Sequence, residues 1–302
     1  MSASASKERK SNFYDSAYLA EYYDILIRAY ATALDTHADR RIYIPAMRKL
    51  LGFDSEQTSA PFIVLDVGTG TGRVLANLTN DAVEVNINLS NVEFIGVDKE
   101  PAMVHHASAM QQKNPSMSQV GRVNWLVGDA INLTSAELLQ NKIGQVNLIL
   151  FAAGGIAYLT EPDEQKRLFC QVAALLRPIT GRFYLSVQRR LNTSLMEGVA
   201  LQFDVINHRE FLSGLYNGVV YKAPQIGESV REGQIVTTRY HSVVVKRIDA
   251  GGEEILEDNH IELKQRLWDE AETMGWATDA RLHCEEAFKT FNETYFVFKR
   301  AD

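Results

Sequence analysis

The ten residues Val64-Leu65-Asp66-Val67-Gly68-Thr69-Gly70-Thr71-Gly72-Arg73 constrain the fold more than any other segment of the chain. An apolar strand pattern runs without a spacer into a turn that has glycine at every second position, and then into a helical pattern. In an open α/β sheet such a turn lies at the carboxyl end of a strand, where ligands bind near the topological switch. Glycine lets the backbone approach a ligand and take positive φ, and the amides at the following helix end favour a carboxylate or phosphate. A nucleotide-like ligand is implied. The spacing is GxGxG, and Arg73 stands where the dinucleotide fingerprint needs glycine or alanine, which counts against NAD.

The chain around this turn alternates. Strands are predicted over Phe62–Val67, Glu93–Val97, Val123–Val127, Val146–Phe151 and Gly181–Val187. Helices are predicted over Arg73–Leu78, Pro101–Gln112, Ser135–Gln140 and Pro162–Leu176, with a loop at Asp81–Ser90. Such alternation gives a parallel sheet covered on both faces. Before it, helical spacing from Tyr18 to Leu50 predicts two helices joined near Asp35-Thr36 that cap the domain. After it, Val199–Val205, Gln234–Ile248 and Glu254–Leu263 read as antiparallel strands, the last two joined by a hairpin at Asp249-Ala250-Gly251-Gly252. A helix over Lys264–Met274 ended by Gly275, then strands Ala277–His283 and Tyr295–Lys299, complete the pattern.

The fold class is therefore α/β, a doubly wound, mostly parallel seven-stranded sheet with an inserted small antiparallel β region. The expected organisation is a disordered lead-in at 1–12, a helical cap at 13–60, a ligand-binding core at 61–190, a β-rich lid or substrate region at 191–263, and 264–302 completing the core sheet.

With 302 residues the chain is long enough for a full core. Its formal net charge of -7 opposes a nucleic-acid backbone, and the basic pairs Arg40-Arg41 and Arg189-Arg190 are too short to form a patch. No nucleic-acid partner is expected. The amino terminus has no apolar core of signal-peptide length, and the run Val146–Leu159 falls short of the ~20 residues that span a bilayer, so a cytoplasmic protein with no membrane partner is expected. Cys170 and Cys284 are far apart and lack metal-ligand spacing, so both are expected to be buried as small hydrophobes and no metal site is expected.

Two further strand ends carry acids. Phe94-Ile95-Gly96-Val97-Asp98 ends in a carboxylate that can accept two hydrogen bonds from vicinal ribose hydroxyls, followed by Lys99, Pro101 and Met103. Val127-Gly128-Asp129-Ala130 follows the third strand, and Asp129 reads either as a ligand contact or as a helix N-cap. At the fourth strand, Leu150-Phe151-Ala152-Ala153-Gly154-Gly155-Ile156-Ala157-Tyr158-Leu159 is small and apolar.

From Asp66 to Val187 these motifs, in this order, resemble the S-adenosylmethionine-dependent methyltransferase family of class I. The resemblance implies S-adenosyl-L-methionine as cofactor. It assigns the methionine end to Asp66, Gly68, Thr69, Gly70 and Gly72, the ribose to Asp98 beside Lys99, and the adenine to Asp129 and the amide of Ala130. Met103 is either the apolar residue that packs on adenine or an ordinary core methionine. The segment around Phe151, itself implied as a cofactor contact, lacks the Asn/Asp-Pro-Pro-aromatic signature of nucleobase and glutamine methylation and resembles the glycine and aminosugar N-methyltransferases. Tyr14-Asp15, Tyr18 and Tyr22-Tyr23-Asp24 resemble the tyrosine-rich first helix that folds over the cofactor in those enzymes.

The implied function is methyl transfer to nitrogen or oxygen of a small-molecule acceptor. The insert resembles the sheets that related enzymes use as a lid or as a homodimer surface. Phe203, Phe211, Tyr216, Tyr221 and Tyr240 either wall an acceptor pocket or form the insert's own core. His208, His241 and His260 lie in the insert without a diagnostic motif, and no catalytic base is assigned. Three other readings stay open: a lyase or pericyclase that keeps the cofactor without using its methyl, a non-catalytic S-adenosylmethionine-binding subunit, and, against the glycine spacing, an NAD-dependent oxidoreductase. Tracing a methyl label into product separates the first, and ligand binding the last.

Overall fold

The computed structural model describes residues 16–29, 38–54, 60–189, 209–222, 225–248, 251–290 and 293–300. The chain divides into two compact units, one of residues 1–29 with 194–265 and one of residues 30–193 with 266–302.

The second unit holds the long sheet. Its strands are β1 (Phe62–Val67), β2 (Val92–Asp98), β3 (Arg122–Val127), β4 (Leu148–Phe151), β5 (Arg182–Gln188), β11 (Leu282–Lys289) and β12 (Glu293–Arg300), in the order β11-β12-β5-β4-β1-β2-β3. The first five are mutually parallel, and β12 runs antiparallel to both β5 and β11. All six residues of β1 are buried. Alternate side chains point to opposite faces of a sheet. Ile63, Leu65 and Val67 accordingly join one core with Ile149, Phe169 and Phe183, while Phe62 and Val64 join another with Tyr43, Met47 and Leu75. A strand buried at every position and apolar at five of six belongs in the middle of a sheet covered on both sides.

The covering helices follow their local signals. Helix α2 (Ala38–Asp54) supplies Tyr43 and Met47 to one face, and α3 (Arg73–Glu84) buries Val74, Leu75, Leu78 and Ala82 along one stripe. Helix α4 (Pro101–Lys113) follows β2, and the short α5 (Glu137–Gln140) precedes β4. Helix α6 (Pro162–Leu175) opens on proline with a reciprocal cap between Glu161 and Glu164. Helix α3 runs to Glu84, longer than predicted, so the first four residues of the expected loop Asp81–Ser90 are helical and the loop before β2 spans residues 85–91.

At the carboxyl end of the chain the prediction fails in detail. Residues 264–266 continue a strand, and α7 (Glu270–Asp279) starts where the Asp269 side chain accepts a hydrogen bond from the Glu272 amide. Gly275 does not end this helix, and Ala277, expected in a strand, is buried within it. A cap outweighs the modest helix penalty of one glycine, about 1 kcal/mol. Cys170 is exposed on α6 and Cys284 is half-buried, so neither is the fully buried hydrophobe expected.

The first unit joins α1 (Leu19–Ala29) to an antiparallel sheet of β6 (Glu210–Leu212), β7 (Val219–Lys222), β8 (Gln225–Glu232), β9 (Ile235–Arg247) and β10 (Glu253–Arg266), in the order β10-β9-β7-β6 with β8 paired to β9. The expected hairpin between β9 and β10 is present, with Gly251 at positive φ and mutual hydrogen bonds between Ile248 and the two glycines. The expected strand at 199–205 lies outside the described residues. The two helices expected as one cap fall in different units, because α1 packs on this sheet. Tyr22, Val219, Tyr221 and Val244 form its core, and Glu21 accepts hydrogen bonds from Ser213 Oγ, Tyr221 Oη and the amides of Gly214 and Leu215. No described helix is long and apolar enough to cross a membrane.

Candidate active site

The strand ends of the parallel sheet gather the acids and the glycine turn. The register pairs Asp66 with Gly96 and with Leu150, and Asp98 with Val127. The carboxyl ends of β1 to β4 therefore lie along one edge.

The turn after β1 is held from below and from the side. Asp66 is buried, and its carboxylate accepts from Thr69 Oγ1 at 2.7 Å. The Thr69 amide reaches the Val97 carbonyl at 2.9 Å, and the Gly72 amide closes back on Thr69. Gly68, Gly70 and Gly72 all have positive φ, a conformation other L-residues rarely adopt.

The glycines divide their duties. A Cβ at Gly68 would sit 3.0 Å from the Phe151 ring, and one at Gly155 would collide with the same ring. Phe151 is thus a buried floor between the two loops. A Cβ at Gly72 would lie 2.7 Å from Trp125 and 3.1 Å from Ala107, so this glycine serves helix and strand packing at the start of α3. Gly96 is required for the same reason, since Trp125 lies over it. Around Gly70 nothing lies within 4 Å of the Cβ position. Of the three, Gly70 leaves space open beside the loop.

Asp98 does more than the sequence foretells. Its Oδ2 accepts from the Gly70 amide at 2.8 Å and its Oδ1 from the Glu100 amide at 3.0 Å. The carboxylate at the end of β2 therefore clamps the loop after β1. An ionised carboxylate can accept about four hydrogen bonds, so capacity remains for a ligand. Lys99 beside it is exposed, and Met103 is buried in the first turn of α4. Asp129 is exposed, and its side chain caps the turn of helix opened by Ala130, accepting from the Ile131 amide at 3.1 Å.

Tyr22, expected over the cofactor, is buried in the first unit, stacked on Tyr221 at 5.1 Å with its hydroxyl on the Lys222 carbonyl. Tyr14 lies outside the described residues, as do Phe203 and His208. Phe211 and Tyr221 pack on Tyr22 of α1 within their own unit and so serve its core, whereas Tyr216 is exposed and meets Tyr18 edge-on. Tyr240 is half-buried on β9.

The loop after β4 carries a group that no sequence motif signals. The Gly154 amide donates to Ser186 Oγ at 3.1 Å, Ser186 Oγ donates to Glu293 at 3.0 Å, and Tyr295 Oη donates to the other Glu293 oxygen at 2.6 Å. Ala153 is held at φ 55, a conformation unfavourable for a side chain, and its carbonyl accepts from Gln188. Gly154, Ile156, Ala157, Gln188, Arg266 and Trp268 line a small recess here. The buried Arg266 is tied to the Thr160 carbonyl and the Glu272 carboxylate. Glu293 comes from the start of an antiparallel strand 107 residues from Ser186, and only its register with β5 brings it there.

Comparison with known proteins agrees with this geometry. Residues 64–179 match the methyltransferase domain family. The N-methyltransferase FrzE of Cladobotryum sp is 32% identical over 253 residues, which cover 83% of this chain and 84% of that protein. Among solved structures, the sugar N-methyltransferase KedS8 from Streptoalloteichus sp shares the fold with a TM-score of 0.62 at 17% identity, covering 100% of this chain and 99% of that one. A S-adenosylmethionine-dependent methyltransferase from Clostridium acetobutylicum does so with a TM-score of 0.59 at 16% identity, covering 93% and 100%. The open space at Gly70, beside a carboxylate with acceptor capacity left, fits a ligand with a charged amino-acid end and a ribose. A loop of this spacing on a sheet of this order, in a chain alike to an N-methyltransferase over five-sixths of its length, places the protein in the class I S-adenosylmethionine-dependent methyltransferases.

Proposed function

We propose that this enzyme methylates a nitrogen atom of a small organic acceptor. The observation that carries the reading is the 32% identity to a protein named as an N-methyltransferase. The loop after β4 supports it, because Gly154, Gly155, Ile156 and Ala157 offer no polar side chain for reading a nucleobase or an amide.

In this reading the Gly68–Gly72 turn, ordered by Asp66 and Thr69, holds the methionine end of the cofactor. Asp98 accepts from the ribose hydroxyls, Asp129 and the Ala130 amide meet the adenine edge, and Met103 gives an apolar contact. Bound there, S-adenosylmethionine supplies a methyl group on a positively charged sulfur. The chain must align an amine with that methyl and free its lone pair, and alignment alone can lower a barrier by ~7 kcal/mol or more. An ammonium acceptor must first lose a proton. Glu293, hydrogen-bonded by Ser186 and Tyr295 beside the carboxyl end of β5, is the carboxylate we assign to orient that ammonium and take the proton.

The reading is tested by offering a panel of small amines and alcohols with methyl-labelled cofactor and locating the label in the product by NMR. Label on nitrogen is expected, and label on oxygen or carbon would refute it. Glu293→Gln, which keeps the size of the side chain, is expected to lower kcat about 100-fold or more with cofactor affinity unchanged. An unchanged kcat would move the base elsewhere.

A further inference from the structure

We propose that His241, Asp258 and His260 form a binding site for a divalent transition-metal ion of the zinc type on the open face of the antiparallel sheet. The three residues lie on β9 and β10, neighbours in that sheet. Strand alternation decides their direction. On β10, Asn259 and Ile261 are buried while Asp258, His260 and Glu262 are exposed. On β9, Thr238, Ser242 and Val244 are buried while Arg239 is exposed and His241 half-exposed. Both histidines and the acid thus project to the side opposite the apolar face.

Their geometry is compact. One ligand atom from each residue lies within 4.8 Å of the other two. His241 Nε2 is 2.7 Å from Asp258 Oδ1, and the two imidazole rings are stacked at 4.5 Å with planes 7° apart. Tetrahedral coordination at metal–ligand lengths of about 2.0–2.1 Å places ligand atoms roughly 3.3 Å apart. The close pair must open slightly and the wider pair close by up to about 1.5 Å, shifts within reach of side-chain rotation on a fixed backbone.

The donor set selects the ion. Two imidazoles and one carboxylate suit Zn²⁺, Ni²⁺ or Cu²⁺ and are poor for Mg²⁺ or Ca²⁺, which need an oxygen cage. Three protein ligands leave the fourth position to water. The neighbouring cations on this face do not compete, because Arg239 is already paired with Glu228 at 2.7 Å and Glu262 at 3.3 Å, and Lys264 with Glu262 at 3.6 Å. Asp258 is left to the histidines. Paired strands hold the ligands better than a loop would, so an ion here would staple β9 to β10 and stabilise the folded unit by mass action.

The test uses the full-length chain without a histidine tag. Zinc chloride titrated by calorimetry is expected to show one ion per chain and to raise the melting temperature, while magnesium chloride does neither. Loss of a direct ligand in His260→Ala should cost at least as much as loss of an outer-shell partner, about 10- to 100-fold in affinity. Cobalt chloride gives a readout independent of stability, a visible absorption band of nitrogen-ligated Co²⁺ in wild type that is lost in the variant. Should His260→Ala fail to fold, His260→Gln carries the same comparison. Equal zinc affinity in wild type and variant, or no cobalt band in wild type, would overturn the site.

Discussion

Replacing Asp98 with alanine is expected to weaken binding of S-adenosylhomocysteine by one to two orders of magnitude while the protein stays folded. The side chain accepts from the Gly70 amide at 2.8 Å and the Glu100 amide at 3.0 Å, and in the proposed complex it also accepts from ribose. Hydrogen bonds to a charged group are worth about 1.5–3 kcal/mol, which at 1.4 kcal/mol per decade corresponds to roughly 10- to 150-fold in affinity. The fold should survive because β2 is held by its ladders to β1 and β3 and by buried Phe94, Ile95 and Val97. Asp98→Asn, which keeps one carbonyl acceptor, should fall between alanine and wild type. Calorimetry with the product cofactor checks the series. Wild-type affinity in the alanine variant would mean that the carboxylate neither orders the loop nor meets the ligand.

Replacing Glu21 with alanine is expected to destabilise the first unit by about 1–3 kcal/mol, the cost of leaving the one fully buried donor, Tyr221 Oη, without its acceptor, while the half-buried Ser213 and the exposed amides of Gly214 and Leu215 can turn to water. Tyr221, fully buried, and Ser213 would lose their acceptor, as would the amides of Gly214 and Leu215. Faster hydrogen exchange at residues 210–222 is the readout, and unchanged exchange there would show the network to be dispensable.

The effect has a pH signature. Burial pushes the Glu21 carboxyl up, but the hydrogen bonds from Ser213, Tyr221 and the two amides outweigh it and hold it below its ordinary value of 4.5. Burial, then the bond to Glu21, raises the Tyr221 hydroxyl, so it stays a neutral donor. A group with a depressed folded-state pKa contributes fully above its ordinary value and loses that contribution as pH falls through the folded value. The stability gap between wild type and Glu21→Ala should therefore be widest above pH 4.5 and narrow below it. A gap that widened on acidification would contradict the depressed carboxyl.

The sequence by itself determined the elements whose cause is local. The apolar run of β1 and the spacing of Gly68, Gly70 and Gly72 specify a strand, a turn and a helix start within a dozen residues, because side-chain period and backbone sterics act between near neighbours. The order of strands and helices then leaves few topologies for the sheet. The same locality explains the errors. Gly275 carries a stop signal that the Asp269 cap and the burial of Ala277 override. The tertiary structure alone decided which distant residues meet. Glu21 reaches Ser213 across 192 positions, Ser186 reaches Glu293 across 107, and His241 reaches Asp258 by lying on a neighbouring strand. No periodicity encodes these meetings, since they depend on strand register and on which apolar faces pack together. That is why α1, a regular amphipathic helix in sequence, could be predicted as a helix but not assigned to the sheet it covers.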